Sequence, residues 1–130
     1  MRRARFPQDI RFADIDMMGH VNNSIYLTYF EQARMKFMIQ FTPTTWSWLE
    51  RGMVVARNEI NYRKPIFLGD DLIIEVEAIE LGASSFTLLH TLFRGDEICA
   101  DCRSVMVCFD YKKGLKMDIP EIWRIALSAV

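Results

Sequence analysis

The chain has 130 residues, enough for one folded domain and too few for two independent cores. Hydrophobic residues make up 51% and charged residues 25%, an ordinary globular mixture that excludes a disordered chain. Lys and Arg count 16 against 17 for Asp and Glu, a net charge of -1, so no overall positive field selects nucleic acid or an anionic membrane and a small partner is expected.

The basic N-terminus runs into mixed polar and aromatic residues rather than the apolar core of a signal peptide, so no export is expected. Phe6, Ile10 and Phe12 are available to pack, and a first short strand is predicted over 5–13. Met17 to Asn23 then reads as a turn, because Gly19 can take a positive φ and Asn22, Asn23 and Ser24 all suit a helix N-cap. From Ser24 to Phe41 the spacing of Tyr26, Phe30, Ala33, Phe37 and Phe41 predicts a helix with one continuous apolar face. Leu27, Met35, Met38 and Ile39 extend that character around most of the surface, so the helix is expected to be enclosed. Pro43 stops it, and Lys36, Gln40 and Pro43 interrupt the stretch Met35 to Leu49 well short of the roughly 18 apolar residues of a membrane span.

The period then changes to two. Strands are predicted over 54–62, 72–79, 85–93 and 97–109, with Arg94-Gly95-Asp96 as a hairpin turn, and Pro120 opens a last helical turn over 121–127. His90 falls on the Phe86, Leu88 and Leu92 face of its strand, as a packed and hydrogen-bonded residue would. Cys99, Cys102 and Cys108 cannot all pair within the chain, which fits a reducing compartment and a cytoplasmic protein. Cys99 and Cys102 have metal or redox spacing, but an offset of three in a strand sends them to opposite faces. No second Cys pair or nearby His completes a tetrahedral set, so neither a metal nor a cofactor is expected. The whole is an α+β pattern, an antiparallel sheet of about five strands wrapped around one long central helix in a single domain. Its free sheet edges favour pairing with a second copy.

One segment combines residues suited to chemistry. Asp14 and Asp16 lie just before the N-terminus of the most buried helix, where the first amides lack intrahelical acceptors and carry partial positive charge. Such amides hold an oxyanion forming on a substrate carbonyl, and Asp16 is placed to act on that carbonyl as nucleophile or as base toward water. Asp and Asn in this position serve equally as caps and turn formers. Asp14 either raises the pKa of Asp16 by repulsion, points to solvent or binds a backbone amide. His20 either positions water, shares a proton with Asp16 or hydrogen-bonds the turn.

The run from Arg11 to Arg34, with Asp14-x-Asp16-x-x-Gly19-His20-Val21-Asn22-Asn23 at its centre and Tyr26, Tyr29, Phe30 and Glu31 beyond it, resembles the opening motif of the hotdog-fold acyl-CoA thioesterases of the 4-hydroxybenzoyl-CoA thioesterase type. A second block, Tyr62-Arg63-Lys64-Pro65 through Gly69-Asp70, is similar to the hairpin after that family's second strand. The resemblance implies hydrolysis of an acyl thioester to free acid and thiol, with the catalytic carboxylate on Asp16. It puts the carbonyl-polarising amide near Asn23 and leaves Gly19 to shape the turn. Gly-His-Val-Asn-Asn is also similar to acyl-carrier-protein thioesterases, so the implied donor is acyl-CoA or an acyl-carrier-protein thioester.

It further implies an acyl group lying along Tyr26, Tyr29 and Phe30, in a cleft where two or four copies meet. Loops carrying Ser85, Lys112, Lys113 and Lys116 would then meet the nucleotide and phosphates of coenzyme A, although a Lys-rich hairpin is also an ordinary solvated surface. Alternation puts Glu59 with Arg57 and Asn61 on one side of a strand, which is either an exposed face or one turned to the partner subunit's pocket. A non-catalytic acyl-thioester-binding dimer and a hydratase on the same scaffold are the competing readings.

Overall fold

In the computed structural model, which describes residues 1–129, the alternating segments form a six-stranded antiparallel sheet. The strands are β1 (Arg3–Gln8), β2 (Gly52–Tyr62), β3 (Leu72–Leu81), β4 (Ser85–Arg94), β5 (Glu97–Asp110) and β6 (Leu115–Lys116). Their order is β1-β3-β4-β5-β2, with β6 beside β5. Helices α1 (Asn23–Ile39) and α2 (Glu121–Ser128) complete an α+β chain.

Strand β3 shows the rule most clearly: Leu72, Ile74, Val76 and Ala78 are buried, while Ile73, Glu75, Glu77 and Ile79 between them are only partly so. Strands β4 and β5 join through Gly95 and Asp96, where Gly95 takes the left-handed φ of +61° that the tight link requires. Register irregularities interrupt β2 between Val55 and Arg57 and the β4–β5 pairing between Leu92 and Phe93. The second skips Cys99, so Cys99 and Cys102 are both buried instead of falling on opposite faces; all three cysteines are buried free thiols.

The first strand ends earlier than the sequence suggests. After Gln8 the chain turns, because the Asp14 carboxylate accepts from the Arg11 amide and closes a 3-10 turn over Phe12–Asp14. Residues 115–116, expected as turn, add β6, which pairs Phe109 with Lys116.

Helix α1 starts where Asn22 accepts the Ser24 amide at 2.9 Å, one residue before the expected start. It buries Tyr26, Tyr29, Phe30, Ala33, Arg34, Phe37 and Met38 and packs most closely on β3 and β1. The expected enclosure on most sides is not met within one chain. A single sheet covers one side of a helix, and Leu27, Glu31, Lys36 and Ile39 stay exposed. Near its C-terminal end, Trp123 of α2 is fully buried, stacked on Trp46 and donating its indole N–H to Thr42. No helix among the described residues is long and apolar enough to cross a membrane.

Candidate active site

The segment between the 3-10 turn and α1 is a small closed loop. Ile15 and Val21 form an isolated antiparallel bridge, the Asp16 amide donates to the His20 carbonyl at 3.0 Å, and the Gly19 amide donates to the Asp16 carbonyl at 3.0 Å. Gly19 sits at φ +85°, a conformation that a side chain would strain. The loop is pinned from outside as well: Val21 donates to the Ile66 carbonyl at 2.8 Å and Asn22 to the Asp14 carbonyl at 2.9 Å.

This frame fixes the Asp16 carboxylate. Its Oδ1 accepts the Met18 amide at 2.9 Å, Oδ2 lies 3.4 Å from the Asn22 side-chain nitrogen, and a quarter of the side chain stays open to solvent. His20 Nδ1 stands 3.9 Å from Asp16 Oδ1, beyond hydrogen-bond range, and 3.4 Å from the Val21 carbonyl. Asp14 is the opposite case. Burial would push its carboxyl up, but the Tyr29 hydroxyl, the Arg11 amide and the Arg11 guanidinium together hold it below its ordinary value. Of the readings open for Asp14 in the sequence, amide binding holds and solvent exposure does not, since the residue is only 1% exposed.

At the start of α1 the capping geometry leaves one amide over. Asn22 Oδ1 takes the Ser24 N–H and the Asn22 carbonyl takes the Ile25 N–H, whereas the Asn23 N–H has no acceptor among the described residues. Beside it lies a pocket of about 220 Å³ lined by His20, Asn23, Tyr26, Tyr62, Arg63, Lys64 and Pro65. The Tyr62 hydroxyl donates to the Asn23 carbonyl at 3.1 Å, and its ring meets Tyr26 edge-on at 5.0 Å. Burial pushes the Tyr26 phenol up to about 12, so it remains a neutral hydroxyl. Arg63 pairs with Asp101 and Lys64 with Glu97, which fixes two cations at the pocket mouth.

Of the expected site residues, His20, Asn23 and Tyr26 line this pocket, while Asp16 and Gly19 belong to the adjoining loop, with Asp16 reaching toward His20 and Asn22. Tyr29 is not among them: its hydroxyl donates to Asp14 at 2.6 Å, away from the pocket. Glu59 pairs across the sheet with Arg103 and accepts from Arg57, on the face opposite that of Asn58 and Ser104, where the buried Ser104 hydroxyl donates to the exposed Asn58 side chain. Ser85 opens β4, where its carbonyl accepts from Gly82. Lys112 forms a salt bridge with Glu50, Lys113 is exposed on the β5–β6 turn and Lys116 is exposed in β6, all at the far end of β2 from Tyr62. His90 is the packed core residue its face suggested: burial and the Arg34 charge push it down to about 3, and its Nδ1 donates to the Cys102 carbonyl at 3.1 Å. Roles for Tyr62, Arg63 and Lys64 were not evident from the sequence, although their block was; a Tyr-Arg-Lys-Pro turn after a strand gives no sign of which helix end it meets.

Residues 10–127 match the family model of the thioesterase-like superfamily. The chain belongs to that superfamily. Among its relatives is the long-chain acyl-CoA thioesterase FadM of Escherichia coli, 32% identical over 106 residues covering 79% of this chain and 80% of that protein. The 1,4-dihydroxy-2-naphthoyl-CoA hydrolase of Synechococcus elongatus is 26% identical over 121 residues, 90% of this chain and 89% of the relative. A Thermus thermophilus thioesterase, crystallised with coenzyme A and Zn, superposes with a TM-score of 0.85 at 37% identity over 96% of this chain and 97% of its own. In this member of the superfamily, the Asp16 loop leads through His20 to a pocket that Asn23, the first residue of α1, also lines.

Proposed function

We propose that the chain is an acyl-CoA thioesterase. The observation that carries this reading is the Asp16 carboxylate, held by the Met18 amide in the loop next to a pocket lined by Asn23, whose N–H is unengaged among the described residues. A thioester carbonyl in that pocket accepts the Asn23 N–H, and charge developing on its oxygen is stabilised by the helix N-terminus. Asp16 attacks the carbonyl carbon or takes a proton from the attacking water. Attack by Asp16 breaks the C–S bond and leaves an acyl anhydride on Asp16, which water then hydrolyses to free the acid and the Asp16 carboxylate; attack by water breaks the C–S bond and frees the acid directly, and by either route the thiolate leaves and is protonated. Gly19 keeps the loop tight, and His20 lines the pocket where it can orient water. Arg63 and Lys64 offer positive charge to the phosphates of the donor.

The active unit is a pair of hotdog domains, each sheet curved around α1. One side of β2 pairs with β5, and on the other side no strand lies beside it among the described residues, with Val54 and Val55 about 40% and 37% exposed. Such a long edge favours a second copy, and antiparallel pairing of two β2 strands brings the Gly52 end of one against the Tyr62 end of the other. That arrangement carries the partner's Lys112, Lys113 and Lys116 turn toward the pocket at Asn23, where those lysines meet donor phosphates. The buried free thiols suit a reducing, cytoplasmic setting. Measuring thiol release from aliphatic and aromatic acyl-CoA esters, with acyl-carrier-protein esters alongside, tests the proposal. Release from acyl-CoA is expected; tight binding without release from any donor would instead favour a binding dimer.

A further inference from the structure

A second cavity, of about 350 Å³, opens between α1 and the first residues of β2, lined chiefly by Met35, Trp48, Met53, Val54 and Met106. Its one cation is Arg34, which is only 6% exposed, and its Nε is buried with no hydrogen-bond partner. Among the described residues no salt bridge reaches the guanidinium, although Glu31 stands on the same wall. A largely buried guanidinium with an unpartnered Nε and no ion pair is unfavourable, and its two terminal nitrogens are left free to take an anionic group from outside the chain.

The position of this cavity relative to the first pocket indicates where that anion comes from. Asn23, Leu27, Glu31 and Met35 follow one another along one stripe of α1 at steps of four. Asn23 lines the first pocket, Glu31 and Met35 line the second, and Leu27 is exposed between them. Strand β2 flanks both, with Tyr62 at one end and Gly52 to Val55 at the other. From Asn23 to Arg34 the helix advances about 16 Å, the span of roughly a dozen bonds in an extended chain at ~1.2 Å each.

We propose that Arg34 binds a carboxylate at the far end of the acyl group, making the preferred substrates α,ω-dicarboxylic acyl thioesters about a dozen carbons long. The methylene chain lies along Leu27 and the methionine and valine walls, and the guanidinium fork receives the terminal carboxylate in the bidentate geometry that suits both groups. Glu31 is exposed at the rim and acts against excess affinity, since its charge repels the incoming carboxylate. The proposal rests on the thioesterase reading for the placement of the thioester at Asn23.

Calorimetric binding of dodecanedioyl-CoA and dodecanoyl-CoA, with turnover blocked by Asp16→Asn, tests it. The dicarboxylic ester should bind about tenfold tighter, Arg34→Met should reduce the preference to about twofold or less, and Arg34→Lys should retain part of it. Equal affinity of the two esters for the chain carrying Arg34 would overturn the proposal, as would a preference that survives Arg34→Met. Melting curves establish that the variants fold; should they not, the comparison of the two esters with Arg34 intact decides alone. Thiol release by the unsubstituted chain is measured separately, so absence of hydrolysis would overturn the thioesterase reading and leave the binding preference to be judged by itself.

Discussion

The Tyr29 hydroxyl donates to Asp14 Oδ2 at 2.6 Å, and both residues are almost wholly excluded from solvent. This bond joins α1 to the turn that precedes the Asp16 loop, since the Asp14 carbonyl in turn accepts the Asn22 amide. Tyr29 is therefore a positioning residue for the loop. Replacing it with Phe leaves a buried carboxylate short of a donor and should destabilise the fold by about 1–3 kcal/mol in denaturant unfolding. Unchanged stability would mean that the Arg11 bonds alone hold Asp14.

Acid should weaken the fold through two carboxylates. Burial opposes the charge on Asp14 and on Asp70, yet Tyr29 and Arg11 around the first, and the Phe67 amide and Arg94 around the second, hold both below the ordinary 3.8. A carboxyl depressed on folding binds more protons when unfolded, so its stabilisation is full above the ordinary value and is lost as pH falls through the folded value. The melting temperature should therefore drop steeply below pH ~4, and the drop should be smaller in Asp14→Asn. An identical acid profile in that variant would remove Asp14 from the account.

Gly19 offers a local test of the loop. Its φ of +85° is open to glycine and strained for alanine, and a Cβ there would meet nothing within 4 Å, so the expected penalty is conformational rather than steric. Gly19→Ala should cost about 1–2 kcal/mol of stability. It should also lower kcat more than it raises KM, because the Met18 amide that holds Asp16 shifts with the turn. A normal kcat would show that the loop tolerates displacement without consequence.

Local periodicity made most of the fold legible. Tyr26, Phe30, Ala33 and Phe37 declare α1, and Leu72, Ile74, Val76 and Ala78 declare β3, because each set follows the period of its own element. The early end of β1 was hidden, since it depends on a side chain three residues away, Asp14, capturing the Arg11 amide. That Asp16, Gly19, His20 and Asn23 share one loop and helix start was legible because they are neighbours in the chain. Tyr62 and Arg34 were not: one reaches the pocket from a strand 39 residues beyond Asn23, and the burial of the other depends on how α1 packs. Burial without a partner is visible only in three dimensions.

The β2 edge gives a test of assembly. Lysines at Val54 and Val55 together oppose strand addition through charge repulsion and hydration. The double substitution should yield a folded monomer by sedimentation, with diminished thiol release. Retention of the dimer would direct attention to another surface.

The most direct measurement is thiol release from acyl-CoA by Asp16→Asn, which keeps the shape of the side chain and removes its charge. The account predicts a fall of ~10²-fold or more in kcat, with the melting temperature and assembly close to those of the unsubstituted protein. Turnover equal to that of the unsubstituted chain would contradict it.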